Sequence, residues 1–381
     1  MKKTPLFAVG LLACLALAAG CASPGPEPAE LKPFKAEIKP RVAWRADTGE
    51  SGPYTFSPGV MEGDFFVAGL EGRLQRLDGR QGRSVWKTDT GAQLSGGVGV
   101  GGGLALVGTT KGEVLAYTVS DGRMKWRSRV STEVLSAPVV AGGLVVVRSG
   151  DSRVFGLDAL DGSRKWEYIP TSASPLLLRG AFGLTVDSGV VYVGLPGGKL
   201  VAIRLDTGAV LWEVAVAQPK GDTELERVID VVTAPVVEDG QTCAVAYQGR
   251  IACFDSSRGT LSWARNASSV SGLATNAKAF FYVDDIGTLL AVERSSGGSL
   301  WKQSILSNRG VGPPGVAGTH VAVGDFEGFI HFFDQEDGRL AGRVSTDGGP
   351  ISSAPVAFGE GSLVVQTRKG GLYALTLRAA K

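Results

Sequence analysis

A glycine followed four residues later by a tryptophan recurs through most of this chain, and that recurrence limits the folds open to it. The pairs are Gly82/Trp86, Gly122/Trp126, Gly162/Trp166, Gly208/Trp212, Gly259/Trp263 and Gly297/Trp301. A seventh copy keeps Gly338 but has Gly342 where the tryptophan is due. Successive tryptophan positions are 40, 40, 46, 51, 38 and 41 residues apart, and Trp44 completes the seven tryptophans of the chain. Self-similarity at about 40 residues marks a repeat architecture. A chain of 381 residues also exceeds the usual size of one compact core, so it holds two domains or one fold that grows by repetition.

Each period reads as four short strands. In residues 135–168 the runs Leu135–Val140, Leu144–Arg148, Arg153–Asp158 and Ser163–Tyr168 are apolar or β-branched and are separated by turn residues. The first run repeats a proline, in Ala137-Pro138-Val139, Ala234-Pro235-Val236 and Ala354-Pro355-Val356. Proline cannot donate to a ladder, so this strand belongs at a sheet edge. Glycine, 55 residues in all, is at about twice its usual share, as a fold of many tight turns requires. Acidic residues four before the glycine (Asp78, Asp158, Asp255, Glu293, Asp334) are placed to cap the turn. Four strands per 40 residues is the period of a β-propeller. The two ends complete each other: Arg41–Asp47 reads as a fourth strand without its first three, and Ile351–Leu377 as three strands without a fourth. The expected fold is therefore all-β, an eight-bladed β-propeller of four-stranded antiparallel blades over residues 41–378, its last blade closed by N- and C-terminal strands. The tryptophan is expected to fill the gap between neighbouring blades.

The N-terminus reads as an address. Lys2 and Lys3 precede the apolar run Leu6–Ala19, which is too short to span a bilayer comfortably and ends in small residues before Cys21. This layout resembles a signal peptide over residues 1–20 with a bacterial lipobox at Cys21, although Ala18 stands where a leucine is usual. Cys21 is then the expected lipidation site. Cys14 falls inside the apolar run. Ala22 is not the aspartate that marks inner-membrane retention, so the resemblance implies lipid anchoring at the outer membrane, facing the periplasm. Residues 21–40 carry five prolines after the cysteine and read as a flexible tether.

The Asp-x-x-x-Gly-x-x-x-Trp pattern is similar to the quinoprotein (PQQ-like) propeller repeat. It is unlike WD-type repeats, because no tryptophan here is followed by aspartate. Eight such repeats behind a lipobox resemble the propeller lipoproteins of the outer-membrane β-barrel assembly machinery, over nearly the whole mature chain. Two segments are the more specific part: Leu176-Leu177-Leu178-Arg179-Gly180, and Thr223-Glu224-Leu225-Glu226-Arg227-Val228-Ile229-Asp230 running on to Pro235-Val236. The resemblance implies a non-catalytic scaffold that docks on the periplasmic domains of BamA, the central barrel subunit. It implies Leu176, Leu178, Arg179, Arg227 and Asp230 as contact residues. Other assembly lipoproteins and unfolded outer-membrane proteins are further candidate partners. Val232 stands where that family carries a second acidic residue.

Spacing alone points to the same two segments. The excess of the 46- and 51-residue periods falls after Trp166 and after Trp212. Both inserts join the last strand of one blade to the first of the next, so they are expected side by side on one rim. Loops longer than the fold needs commonly carry function. Two readings of Leu176–Leu178 stand: an apolar anchor with Arg179 as its charged neighbour, or the next inner strand.

Catalytic chemistry has little purchase here. The alternative reading is a PQQ-dependent dehydrogenase or a sugar-binding propeller. The quinoprotein enzymes, by resemblance, carry a disulfide between adjacent cysteines and a calcium site, and no adjacent cysteine pair exists here. His320 and His331, the two histidines, lie on different strands of the seventh blade with no metal-ligand spacing around them. Gly96–Gly103 lacks the Lys-Ser/Thr ending of a phosphate loop and reads as strand and turn. No cofactor is expected. A net charge of +2 with no basic run in the mature part gives no nucleic-acid surface. Cys243 and Cys253 flank a Gln248-Gly249 turn. A two-residue hairpin would pair 243 with 254 and send Cys253 to the opposite face, so no disulfide is expected.

Overall fold

The computed structural model describes residues 25–171, 178–180, 183–359 and 361–379. Its strands pair into eight antiparallel sheets of four. In each, the strands follow chain order from the inner edge to the outer, here a, b, c and d. Blades 1 to 7 span residues 59–89, 94–129, 139–168, 184–215, 236–267, 274–303 and 315–345. Blade 8 takes strands a to c from residues 356–376 and strand d from Arg41–Asp47, which pairs antiparallel with Gly371–Thr376. The ring is an eight-bladed β-propeller latched by its own two ends, as the unmatched terminal strands require. Strand a is short: in blade 3 it is Val139–Ala141, and Pro138 lies just outside it at the sheet edge.

The core lies between blades rather than within them. Leu104, Leu106, Val114 and Ala116 of blade 2 pack on Val145, Val147, Phe155 and Leu157 of blade 3 in one buried cluster. A four-stranded sheet has two apolar faces here and cannot bury both alone, so each blade depends on its neighbours.

The tryptophan makes the same joint seven times. Its indole N–H donates to a carbonyl in the c–d turn of the next blade, three residues before that turn's motif glycine. The acceptors are Gly79, Val119, Ala159, Leu205, Ser256, Arg294 and Gln335, at 2.8 to 3.1 Å. The motif glycine of that turn sits against the ring. Its φ is 67° to 75° in all seven copies, and a Cβ there would come within 2.3 to 2.9 Å of the indole. The residue is glycine for two reasons at once, a left-handed backbone and a flat ring against its Cα. The acidic residues cap these turns as expected: Asp78 accepts from the N–H of Arg80 and Gln81, and Asp255 from those of Ser257 and Arg258.

Blade 7 lacks the tryptophan because its neighbour lacks the turn. In blade 8 the c–d connection is replaced by the two chain ends, so no turn carbonyl or motif glycine awaits an indole. Ile38 fills the space. It is buried among Ile330, Phe332 and Ile351, and its Cγ1 lies 2.7 Å from where a Cβ on Gly342 would be. The proline-rich stretch read as a tether follows the flank of the ring on its way there. Ala29 N–H donates to Ser307 O at 2.9 Å, Arg309 reaches Ala29 O at 3.0 Å, Arg343 lies over the Phe34 ring, and Ile38 bridges to Ala379.

One expectation is overturned. Cys243 and Cys253 are joined by a disulfide, with Cα atoms 4.1 Å apart. They stand directly opposite each other, as do Ala244 and Ala252. The hairpin has three loop residues, Tyr247-Gln248-Gly249, closed by Ala246 N–H to Arg250 O, with Gln248 at φ 50°. The two-residue turn inferred from Gln-Gly was one residue too short, and a slip of one reverses every facing. The same wide closure recurs at Gly69/Arg73, Ser149/Arg153 and Asp325/Phe329. Gly96–Gly101 lies in strand a of blade 2, as read.

Two measurements check these points. Gly162→Ala should lower stability by about 1–3 kcal/mol more than Gly143→Ala. Both glycines are left-handed, at φ 75° and 78°, but only Gly162 faces an indole, while nothing lies within 4 Å of a Cβ on Gly143. Equal melting temperatures for the two variants would remove the indole joint from the account. The peptide spanning Cys243–Cys253 from unreduced protein should be lighter by two hydrogen atoms than after reduction. Cys243→Ala with Cys253→Ala should cost roughly 2–3 kcal/mol by the loop-closure argument.

Candidate partner-docking site

Strand d of each blade is linked to strand a of the next on the face that also carries the b–c turns. Most links are short. The two long ones are residues 169–183, between blades 3 and 4, and residues 216–235, between blades 4 and 5. The feet of the second are buried. Val216, Ala217, Ile229 and Val231 sit in the blade 4–5 core, and the N–H groups of Val216 and Ala217 donate to Gly198 O in the b–c turn of blade 4.

Asp230 joins the two links. One carboxylate oxygen accepts from Leu178 N–H at 2.7 Å and the other from Gly197 N–H at 3.1 Å. Its own carbonyl accepts from Tyr247 N–H at 2.9 Å, and its backbone bridges to Pro196. One residue thus gathers both inserts and the b–c turns of blades 4 and 5. Burial pushes its carboxyl pKa up, against the two N–H donors and the charge of Arg148. Arg148 is itself buried, and that burial pulls its guanidinium down to about 9, with the Asp230 charge acting the other way. Asp230 is only 1% exposed. It offers no surface to a partner in this conformation, so the contact role implied for it becomes one of holding the loop. Val232 is buried as well.

The other expected residues divide as follows. Leu178 is half-buried beside Asp230. Arg179 is exposed and ion-paired at 3.3 Å with Glu133 on the link between blades 2 and 3. With Gly180 it borders a cavity of about 260 Å³, completed by Pro53–Thr55 and Leu135 from two further links and by Ser95 from strand a of blade 2. The first insert therefore leans across the face of the ring. Arg227 is exposed and turned onto its own insert, its Nε donating to Gly221 O at 3.0 Å. Leu176 and Cys21 lie outside the described residues. Leu178, Arg179, Arg227 and Asp230 all stand on the link face, and Asp230 is what brings the two inserts together.

Sequence reasoning passed over the build of the second insert. Glu226 accepts from the N–H groups of Asp222 and Thr223 at 2.9 and 3.1 Å, and Thr223 Oγ1 accepts from Glu226 N–H at 3.2 Å. This is a capping box, and its Thr-x-x-Glu signature was legible in Thr223-Glu224-Leu225-Glu226.

A larger groove of about 1200 Å³ lies on the opposite face, across blades 5 to 7. Within it Arg294 pairs with Glu238 and Asp239, and Gln335 donates to Gly318 O and His320 O. Of the two histidines, His331 is buried. Its Nε2 lies 3.1 Å from Asp325, and its Nδ1 accepts from Arg343 Nε at 3.1 Å. His320 contacts Thr319.

Comparison with known proteins places this geometry. The family model described as "Outer membrane protein assembly factor BamB" matches residues 70–303 and 287–380. Outer membrane protein assembly factor BamB of Nitrosomonas eutropha is 45% identical over 88% of this chain and 81% of its own length. That of Burkholderia pseudomallei is 38% identical over 91% of this chain and 90% of its own. The crystal structure of BamB from Moraxella catarrhalis superposes with a TM-score of 0.81 at 25% identity, covering 89% of this chain and all of that one. Quinohemoprotein alcohol dehydrogenase from Comamonas testosteroni has a TM-score of 0.71 at 14% identity, a likeness of fold alone. With the family model matching residues 70–303 and 287–380 and relatives near 40% identity over most of its length, the chain belongs to the BamB family of outer membrane protein assembly factors.

Proposed function

We propose that this protein is a non-catalytic scaffold, anchored by lipid at Cys21 to the periplasmic face of the outer membrane, that docks the link face of its ring on the periplasmic domains of BamA. The observation that carries this reading is the joining of the two oversized links by Asp230, with Arg179 exposed beside it. A rigid ring holds this surface in place before any partner arrives, so little ordering cost remains to be met on binding. Leu176, Leu178 and Arg179 supply the apolar and charged contacts, Arg227 stands on the neighbouring insert, and Asp230 positions Leu178. Membership in a family of assembly factors favours a binding role over the dehydrogenase chemistry of its distant structural neighbours. The signal peptide is residues 1–20, and the tether that follows Cys21 is short, because the chain lies against the ring from Ala29 on. The unfolded barrel proteins and the other lipoproteins of the complex then meet the remaining surfaces of the ring.

Capture on immobilised BamA periplasmic domains tests the reading. Arg179→Glu exchanges one exposed side chain, so its melting temperature should stay close to that of the parent while capture falls at least about tenfold. Unchanged capture by this folded variant would overturn the assignment of the face. Asp230→Asn should behave differently, because an amide offers one acceptor where two N–H groups now face two oxygens. It should cost about 1–3 kcal/mol of stability and weaken capture only partly, with faster hydrogen exchange at Leu178.

A further inference from the structure

The second insert carries a residue that lies inside the family segment but outside the contact residues the resemblance implies. Gln218–Arg227 are ten consecutive exposed residues on buried feet. At their tip Leu225 is 74% exposed. The loop bearing it is closed on itself by the Thr223–Glu226 capping box and by Arg227 Nε on Gly221 O. A large apolar side chain held out on a stiff turn gains nothing for the fold, and its burial by a partner would cost little ordering.

We propose that Leu225 is an apolar anchor of the docking surface, a preformed knob that enters a shallow apolar pocket on the folded partner domain. This rests on the reading above that the link face meets the periplasmic domains of BamA. Three features of the knob select this occupant. It is convex, so only a concave surface covers the leucine on all sides. Around it stand three carboxylates, Asp222, Glu224 and Glu226, against two cations, Lys220 and Arg227, a balance that disfavours an anionic lipid surface. An unfolded chain has no formed pocket to receive a side chain and would instead pair with a strand edge. Through Asp230 the knob is continuous with Leu178 and Arg179, so one folded domain can cover all three.

The molecule supplies its own control. Leu160 is also 74% exposed but sits in the c–d turn of blade 3, on the opposite face. Affinity for purified BamA periplasmic domains should fall about tenfold or more in Leu225→Ala. It should fall less, about threefold, in Glu226→Ala, which keeps the leucine but opens the capping box. Leu160→Ala should bind like the parent, and all three should melt near the parent temperature. A photo-crosslinking amino acid at 225 in intact envelopes should join to BamA, and the same group at 160 should not. If the parent binds, Arg179→Glu does not, and Leu225→Ala binds like the parent, the knob is not an anchor while the docking face stands. If the parent shows no binding, the docking face fails and the anchor with it.

Discussion

The indole N–H that each blade sends into the turn of the next is the contact on which the ring depends. A four-stranded sheet with two apolar faces has no stable life of its own, so the fold must specify how each sheet meets its neighbour. Here a flat ring lies on a glycine Cα and its one polar atom is satisfied by a carbonyl of the same turn. Buried tryptophan is favourable only when that N–H finds an acceptor. Repeated seven times, the joint sets the spacing of the blades and leaves the links free to vary. It also explains its own absence. Where the chain ends interrupt blade 8 there is no turn to receive an indole, and Gly342 opens the space that Ile38 fills. The N-terminal segment is thereby part of the wall of the ring, beyond its role as a leader to strand d.

Because the indole joints lie on the face opposite the links, length can be added to a link at small cost to the fold. The two long links exploit this, and one buried carboxylate organises them. Asp230 satisfies two backbone donors in surroundings that penalise its charge, which is affordable only because Arg148 and those donors offset the burial. The result is a surface whose exposed members, Arg179, Arg227 and Leu225, stand on links held from beneath by buried groups. The quinoprotein dehydrogenases share the ring and do chemistry with it, which shows how little the architecture says about activity.

Much of this was legible in the sequence because it arises from local, repeated causes. The Gly-x-x-x-Trp period, the edge prolines at 138, 235 and 355, the acidic turn caps and the unmatched strands Arg41–Asp47 and Ile351–Leu377 each act within one blade or at its ends. Together they determined the fold class, the blade count, the closure and the position of both inserts. Tertiary structure alone decided the rest. The width of the Tyr247–Gly249 loop depends on one residue adopting φ 50°, and that single step reversed the facing of Cys253 and made a disulfide. The burial of Asp230 depends on Leu178 and Gly197 converging from 52 and 33 residues away. The docking of Ile38 depends on a cavity that exists only once blades 7 and 8 have met. A periodic pattern reports what every blade has in common, whereas these three features arise from contacts made once, between segments whose meeting no local preference specifies.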